Sequence, residues 1–130
     1  MLRTGLRGHR WAEVSDWEIR QGGVSYTVDT VKAMARQFPG RSMAWIMGSD
    51  QWKLLPAWKS PRELAQQLLF LVFPRPESPR PRRGFRMREI SLRIDISATE
   101  IRQRIRRRLS IEGLVLSSVG SMIRRQELYR

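Results

Sequence analysis

The chain has 130 residues, 41% hydrophobic and 28% charged, which is the composition of one globular domain rather than of a disordered segment. It contains no cysteine and a single histidine, which excludes disulfides, cysteine nucleophiles and metal sites built from several histidines. The net charge is +13, and residues 75–108 hold twelve arginines against four carboxylates, so nucleotides or nucleic acid are the expected class of partner.

The first 40 residues are predicted to form a short helix, a strand and a longer helix. The short helix covers residues 1–7, and residues 11–16 are predicted as a strand. Ser25 or Thr27 is expected to cap the longer helix, and Pro39-Gly40 to end it. Its apolar residues recur at helical spacing, at Val28, Val31, Met34 and Phe38.

Two buried strands and one helix are predicted over the next part of the chain. Residues 43–47 are apolar and indicate a fully buried strand, followed by a loop around Pro56. Ser60-Pro61-Arg62-Glu63 is typical of a helix start, with a serine N-cap, a first-turn proline and a glutamate that completes a capping box. This helix is expected to run to about Gln67, and residues 69–73 to form the second strand.

The last part of the chain begins with a segment rich in proline, glycine and arginine, residues 74–88, which we interpret as a mobile basic loop. An alternating strand is predicted at Ile90, Leu92, Ile94 and Ile96. A helix opens at Ser97-Ala98-Thr99-Glu100, with Ile101, Ile105 and Leu109 on its apolar face, and a final helix is marked by Val119, Met122 and Ile123. Strands that alternate with helices predict a single α/β domain, residues 1–130, with a parallel sheet.

Ligands in such folds bind beyond the carboxyl ends of the strands, and three of these ends carry polar or basic residues. They are Gly48-Ser49-Asp50, residues 74–76 and Ser97-Ala98-Thr99. Ser97, Thr99 and Arg102 at a helix start suit a polyphosphate, because a helix N-terminus attracts anions. On spacing alone the simpler interpretation is a capping box, which contributes about 1 kcal/mol and needs no ligand.

Two aromatic features have two interpretations each. Trp58 lies in the predicted loop, where it either stacks on a flat heterocycle, for about 1–3 kcal/mol, or packs as a half-buried side chain. Ser25-Tyr26-Thr27 offers hydroxyls and amides to a ligand, or caps the helix.

The arginines of residues 80–88 have one aromatic neighbour, Phe85. The segment therefore lacks the stacking platforms of a protein that binds single-stranded nucleic acid.

Taken together, five segments carry a specific resemblance. They are Ser-Tyr-Thr-Val-Asp-Thr at 25–30, Ile-Met-Gly-Ser-Asp at 46–50, Leu-Pro-Ala-Trp-Lys at 55–59, Ile-Ser-Ala-Thr-Glu-Ile-Arg at 96–102 and Leu128-Tyr129. In this order they closely resemble the bacterial nicotinate-nucleotide adenylyltransferases. The resemblance implies a Rossmann-like nucleotidyltransferase fold and transfer of AMP from ATP, with Mg²⁺, to nicotinate mononucleotide. The products are deamido-NAD and pyrophosphate, in NAD biosynthesis.

The resemblance also implies roles for ten residues. Trp58 stacks on the pyridine ring, and Thr27 holds the nicotinate carboxylate with amides near Tyr26 and Lys59. Gly48 and Asp50 line the adenosine side of the ATP site. Phosphates of ATP are held by Ser97, Thr99 and Arg102, with Arg75 as a further phosphate ligand. No catalytic side chain and no metal ligand is identified.

The chain departs from the family pattern at two places. Ala98 stands where a second serine is frequent, a mild change because backbone amides carry much of an anion site. The family's first strand and its H-x-G-H turn have no counterpart in these 130 residues, since His9 lies in Gly8-His9-Arg10-Trp11. The resemblance therefore covers the C-terminal two-thirds of the family's sequence, and we expect an N-terminally truncated domain that is inactive alone.

Two alternative functions remain at this stage, in different classes. One is another adenylyltransferase of the superfamily, such as one that acts on phosphopantetheine, against which Trp58 and residues 25–27 argue. The other is a basic nucleic-acid-binding module that uses residues 75–108, although we do not expect a nucleic-acid partner.

The longest apolar run, Leu68–Phe73, is six residues, where a membrane span needs about 20. With no apolar signal core at the N-terminus, we expect a cytoplasmic protein without a membrane partner.

Overall fold

The structure is a computed structural model that describes residues 1–75, 77–92 and 96–130. The chain divides into two compact units, one of Met1–Asp16 with Ile96–Arg130 and one of Trp17–Asp95. No helix in the described part of the chain is both long and apolar enough to cross a membrane. The helices are α1 (Leu2–Gly5), α2 (Trp17–Gln21), α3 (Thr27–Gln37), α4 (Ser49–Leu54), α5 (Pro61–Gln67), α6 (Ala98–Arg106) and α7 (Ser117–Arg125), and the strands are β1 (Met43–Gly48), β2 (Leu68–Phe73) and β3 (Arg86–Glu89).

The unit Trp17–Asp95 is built on a parallel sheet in the order β1-β2-β3, as predicted for an α/β fold. The register pairs Met43 with Leu68 and Leu69 with Arg86. Helices α3, α4 and α5 bury one face of this sheet, because their apolar side chains and those of β1 and β2 form one core. That core consists of Val28, Val31, Met47, Trp52, Leu55, Leu64, Leu68, Phe70 and Val72.

The prediction that residues 43–47 form a fully buried strand is wrong in its burial. Along β1, Met43, Trp45 and Met47 face the core, whereas Ala44 and Ile46 lie on the opposite face of the sheet, where Ile46 is 67% exposed. The register places Leu69 and Leu71 of β2 beside them on that face. An apolar run therefore predicted the strand correctly but did not show that only one of its faces is covered.

Three further elements differ from the predictions. Residues 11–16 form no strand, and α2 follows them instead. The predicted loop around Pro56 is α4 and a 3-10 turn over Leu55–Ala57, because Trp52 and Leu55 enter the core. The third strand is Arg86–Glu89, and the described residues of the predicted strand over 90–96, which are 90–92 and 96, are not in a strand; Ile94 of the predicted alternation lies outside the described residues. Met87 faces the core of the unit, and this packing selects the earlier register.

Helix bounds agree closely with the sequence patterns, but two predicted caps do not form. α3 starts from Tyr26, and neither Ser25 nor Thr27 donates or accepts a side-chain capping bond. Ser60 is the N-cap residue of α5 and Pro61 its first residue, as predicted, but Ser60 has a left-handed backbone with φ 52°. Its side chain makes no capping bond there, so the capping box with Glu63 is absent; Glu63 instead pairs with Lys32 at 2.9 Å.

The segment interpreted as a mobile loop, residues 74–88, ends where β3 begins at Arg86. Its described residues contact the unit at several points. The indole of Trp52 donates to the Arg80 carbonyl at 2.9 Å, and the Arg82 guanidinium lies over that indole at 5.8 Å. Phe85 packs against Trp52 with ring centroids 5.9 Å apart. These contacts place the segment against Trp52. Its mobility stays a prediction.

The second unit joins the N-terminal residues to the two last helices. Helix α1 contacts α7, and the Thr4 hydroxyl donates a hydrogen bond to Met122 Sδ at 3.6 Å between these two helices. The core of the unit consists of Ile101, Ile111 and Ile123, with Ile105, Val119 and Leu128 among the half-buried residues around it. The predicted final helices are confirmed, since apolar side chains at helical spacing on α6 and α7 meet in this core.

Candidate functional site

The carboxyl ends of β1 and β2 are tied together by one buried serine. Ser49 follows β1 and is 1% exposed; its hydroxyl donates to the Arg75 carbonyl at 2.9 Å and accepts from the Arg75 amide at 2.7 Å. Arg75 follows β2 after Pro74, so these bonds hold the two strand ends at a fixed separation. In open α/β sheets this edge is where ligands bind, which makes it a candidate site.

Gly48 at this corner has no room for a side chain. A Cβ there would overlap the Asp50 carboxylate and lie 3.4 Å from Cδ of Arg75. The absence of a side chain at Gly48 therefore lets the Asp50 carboxylate and the Arg75 side chain both lie close to this strand end. The structure thus brings together three of the six predicted ATP-site residues, with one acidic and one basic group at the same corner.

A second cluster joins two segments that lie far apart in the sequence. The Lys59 ammonium is 3.2 Å from Oδ2 of Asp29 and 4.2 Å from the ring centroid of Tyr26. Lys59 follows the 3-10 turn, whereas Tyr26 and Asp29 lie at the start of α3. The cation–π contact and the ion pair therefore hold the Leu-Pro-Ala-Trp-Lys segment against the start of that helix.

Trp58 and Thr27 are the chain neighbours of Lys59 and Tyr26 in this cluster. Trp58 is half-buried and packs against the core of its unit, so it fills a packing role while part of its ring stays accessible. The Thr27 hydroxyl makes no hydrogen bond to the part of the chain that the structure describes. As the first residues of a helix, Thr27 and Val28 also have no intrahelical acceptor for their amides. The two segments that Lys59 joins therefore carry hydrogen-bond donors at the start of α3 and a partly accessible aromatic ring at Trp58.

The third group of predicted residues lies at the start of α6, in the other unit. The Ser97 hydroxyl accepts from the Glu100 amide at 3.1 Å, so the capping interaction predicted from spacing is confirmed. Arg102 reaches back to the Thr99 hydroxyl at 3.4 Å. Capping does not consume the donors an anion needs, because the Ser97 proton and the amides of Ala98 and Thr99 lack intrahelical acceptors.

Two residues of these clusters were not singled out from the sequence. In the sequence, Ser49 belongs to a strand-ending motif, and its role depends on a partner 26 residues away. Asp29 lies in the first turn of α3, where an acidic residue suits the helix dipole, so its sequence position already had an explanation. Its contact with Lys59 bridges 30 residues, and no local pattern reports such a distance.

The described residues contain no group of three or more histidine, aspartate or glutamate side chains placed to hold a metal ion. Asp50 and Asp29 belong to separate clusters, and Asp29 is already paired with Lys59.

Comparison with known proteins gives a consistent assignment, although no protein-family model matches the chain. The chain is 37% identical over 135 residues to a probable nicotinate-nucleotide adenylyltransferase of Opitutus terrae, covering all of this chain and 69% of that protein. Proteins of the same name from Methylacidiphilum infernorum and Rhodopirellula baltica are 33% and 31% identical, and the chain covers 64% and 67% of them. The chain therefore spans about two-thirds of the length of these relatives.

Solved structures give the same fold. A nicotinic acid mononucleotide adenylyltransferase of Plasmodium falciparum, complexed with NaAD, superposes with a TM-score of 0.65 over 82% of this chain and 58% of that one. The complex of that enzyme with APC gives 0.66 over 83% and 60%. At 18% identity these matches establish the Rossmann-like nucleotidyltransferase fold. The sequence relatives, of which the first is 37% identical over the whole chain, show that the chain belongs to the nicotinate-nucleotide adenylyltransferase family.

Proposed function

We propose that this chain supplies the pyridine-nucleotide pocket and part of the ATP site of an enzyme that transfers AMP from ATP to nicotinate mononucleotide. The observation that carries the proposal is the contact of Lys59 with Asp29 and Tyr26, because it joins the segments at 25–30 and 55–59 into one cluster. A nicotinate ring needs an aromatic surface and its carboxylate needs donors. Trp58 offers the first, and Thr27, the α3 amides and Lys59 offer the second.

Roles for the nucleotide side follow the two other clusters. We assign the adenosine contacts to Gly48 and Asp50, since backbone approaches closely at a glycine and a carboxylate accepts from ribose hydroxyls. We assign phosphates of ATP to Ser97, Thr99 and Arg102, where a nine-residue helix begins, and a further phosphate contact to Arg75. Mg²⁺ is proposed to enter with ATP as part of the substrate.

The proposed reaction is a direct displacement at the α-phosphorus of ATP. A phosphate oxygen of nicotinate mononucleotide forms the new bond, the bond from the α-phosphorus to the bridging oxygen breaks, and pyrophosphate leaves with that electron pair. This chemistry needs positioning and positive charge more than a protein nucleophile. These residues contribute such groups, whereas the H-x-G-H motif is absent from the 130 residues. Because each lost donor typically costs about 10²–10³ in rate, we propose that the chain alone does not catalyse the transfer.

A chimera tests the proposal directly, since the chain covers 69% of the Opitutus terrae relative. The remaining N-terminal part of that relative would be joined to these 130 residues and given ATP with nicotinate mononucleotide, nicotinamide mononucleotide or phosphopantetheine. We expect the chimera to form deamido-NAD and pyrophosphate from nicotinate mononucleotide and not to react with phosphopantetheine. We expect the 130 residues alone to release no pyrophosphate. Faster adenylylation of phosphopantetheine would overturn the assignment.

A pair of threonine variants makes the chimera experiment specific. Thr27→Val removes the hydroxyl assigned to the carboxylate and should raise KM for nicotinate mononucleotide about tenfold, the value of one charge-assisted hydrogen bond. Thr30→Val lies one turn later in the same helix, and its hydroxyl bonds to Glu18 instead. It should leave that KM unchanged. Equal effects of the two variants would mean that helix α3 was perturbed and that the assignment of Thr27 is wrong.

A further inference from the structure

The unit that holds α6 and α7 contains a cavity of about 740 Å³ that the proposed adenylyl transfer does not use. It lies between the end of α6, the turn that follows, α7 and the C-terminal residues. None of Ser97, Thr99 and Arg102 lines it. Its volume lies within the range of about 300–1,000 Å³ that small-molecule sites occupy. Ile105, Ile111, Ile123 and Leu128 form an aliphatic lining, in which Ile111 and Ile123 are buried.

Four arginines surround this aliphatic lining, and we call the whole the arginine-rimmed cavity. They are Arg106, Arg108, Arg124 and Arg130. Arg130 is paired with Glu127 at 2.6 Å, and Arg124 donates to the Ser121 hydroxyl at 3.3 Å. Within the described residues, the guanidinium groups of Arg106 and Arg108 have no hydrogen-bond or ion-pair partner. Glu112 is the one acidic side chain among the lining residues, against four arginines, so positive charge is in excess.

The turn after α6 holds one of these arginines in a conformation that costs energy. Arg108 has φ 56°, the left-handed region that ends many helices and favours glycine. The Arg108 amide donates to the Ile105 carbonyl at 2.9 Å, and the Leu109 amide to the Arg104 carbonyl at 2.8 Å. The backbone of this turn is therefore well defined, and glycine would fit it better than arginine. The backbone of the turn therefore gives no reason for an arginine at position 108.

The chemistry of the lining selects a class of ligand. None of the lining side chains is aromatic, so a nucleotide base has nothing to stack on. Aliphatic side chains favour a hydrocarbon, and a guanidinium fork matches the two oxygens of a carboxylate. We propose that the arginine-rimmed cavity binds a linear aliphatic carboxylate, with its chain against Ile111 and Ile123 and its carboxylate on Arg106 and Arg108. This proposal is independent of the adenylyl-transfer assignment.

Titration of the full 130-residue chain with dodecanoate, below its critical micelle concentration, tests the proposal. Methyl NMR should show saturable shifts at Ile105, Ile111 and Ile123, and calorimetry should give a one-site isotherm. Acetate, which lacks the chain, and dodecyltrimethylammonium, which carries the opposite charge, should not reproduce it. Shifts centred on Ile46 of the exposed sheet face, or equal binding of the cationic amphiphile, would overturn the proposal.

Matched arginine variants separate this site from the general positive charge of the chain. Arg106→Gln with Arg108→Gln should weaken dodecanoate binding about tenfold or more, since two charge-assisted contacts are lost. Arg107→Gln with Arg125→Gln removes the same charge from exposed arginines that do not line the cavity, and should leave binding unchanged. Equal weakening by both pairs would overturn the proposal.

A further variant distinguishes a loss of dodecanoate binding from a loss of folding. Arg108→Gly relieves the left-handed backbone, so the melting temperature should stay constant or rise while dodecanoate binding weakens. Unchanged binding in this variant, with the fold intact, would contradict the role given to the Arg108 side chain.

Discussion

Ser49 and Arg75 exchange two hydrogen bonds, in which one buried hydroxyl serves both the amide and the carbonyl of a residue 26 positions later. Ser49→Ala leaves both backbone groups of Arg75 without this partner. A hydrogen bond of this kind contributes about 0.5–1.5 kcal/mol, so the loss of both should lower the free energy of unfolding by about 1–3 kcal/mol. Urea unfolding measures it. Ser42→Ala, at an exposed serine without such a bond, serves as the control, and equal stability of the two variants would contradict the role of Ser49.

The ion pair of Lys59 predicts a change in substrate preference rather than in stability. Both side chains are about half exposed, and such pairs contribute about 0–1 kcal/mol, so Lys59→Met should change stability little. In the active chimera it should raise KM for nicotinate mononucleotide about tenfold, while KM for nicotinamide mononucleotide, which has no carboxylate, stays constant. Lys32→Met, which breaks a comparable pair with Glu63, is the control. A parallel rise in both Michaelis constants would show that Lys59 does not contact the carboxylate.

The uncovered face of the sheet predicts self-association of the 130-residue chain. Within the described residues β1 pairs only with β2, and Ile46 is 67% exposed beside Ala44 on an apolar face. An uncharged edge strand of this kind pairs readily with other chains. Ile46→Lys should increase the monomer fraction in sedimentation, because a charge on an edge strand opposes such pairing. Ile19→Lys, at a residue of α2 that is 83% exposed, should not, and equal effects of the two variants would point to net charge alone.

The loop after β2 carries a group whose protonation is measurable. The hydrogen bond from Lys53, at 2.7 Å, together with its charge, holds the pKa of the Glu77 carboxyl below its ordinary value, and the charge of Arg80 acts in the same direction. A lowered folded-state pKa means that the pair stabilises the loop above the unfolded-state pKa. This contribution is lost as the pH falls through the folded-state value. Carboxyl NMR should show the low pKa and its return to normal in Lys53→Met. An unchanged titration in that variant would contradict the pairing.

Local patterns predicted most of the elements because their causes are local. The helical spacing of Val28 and Val31 predicted α3. The capping pattern from Ser97 to Glu100 predicted the start of α6. Failures arose where a distant partner decided the outcome. Met87 is drawn into the core and sets β3 four residues earlier than the alternation of isoleucines suggested. Trp52 and Leu55 enter the same core and order a segment that Pro56 had marked as a loop.

The same distinction holds for the candidate site. Ordered motifs identified Tyr26, Thr27, Trp58 and Lys59, and the structure brings Tyr26 and Lys59 into contact. Asp29 and Ser49 escaped notice because each acts through a partner at least 26 residues away. Sequence patterns therefore predicted the residues to which ligand contacts are assigned in the proposal, whereas the residues that position their side chains emerged only from the fold.

The most direct test of the account compares two variants of the chimera on both substrates. Trp58→Ala should raise KM for nicotinate mononucleotide by the equivalent of about 1–3 kcal/mol, the range for stacking on a base, and leave KM for ATP nearly unchanged. Arg102→Ala should do the reverse, because a charge-assisted phosphate contact is lost. Lower thermal stability in both variants, with both Michaelis constants unchanged, would contradict the account. Trp58 would then only pack against the core, and Ser97 to Arg102 would only begin a capped helix.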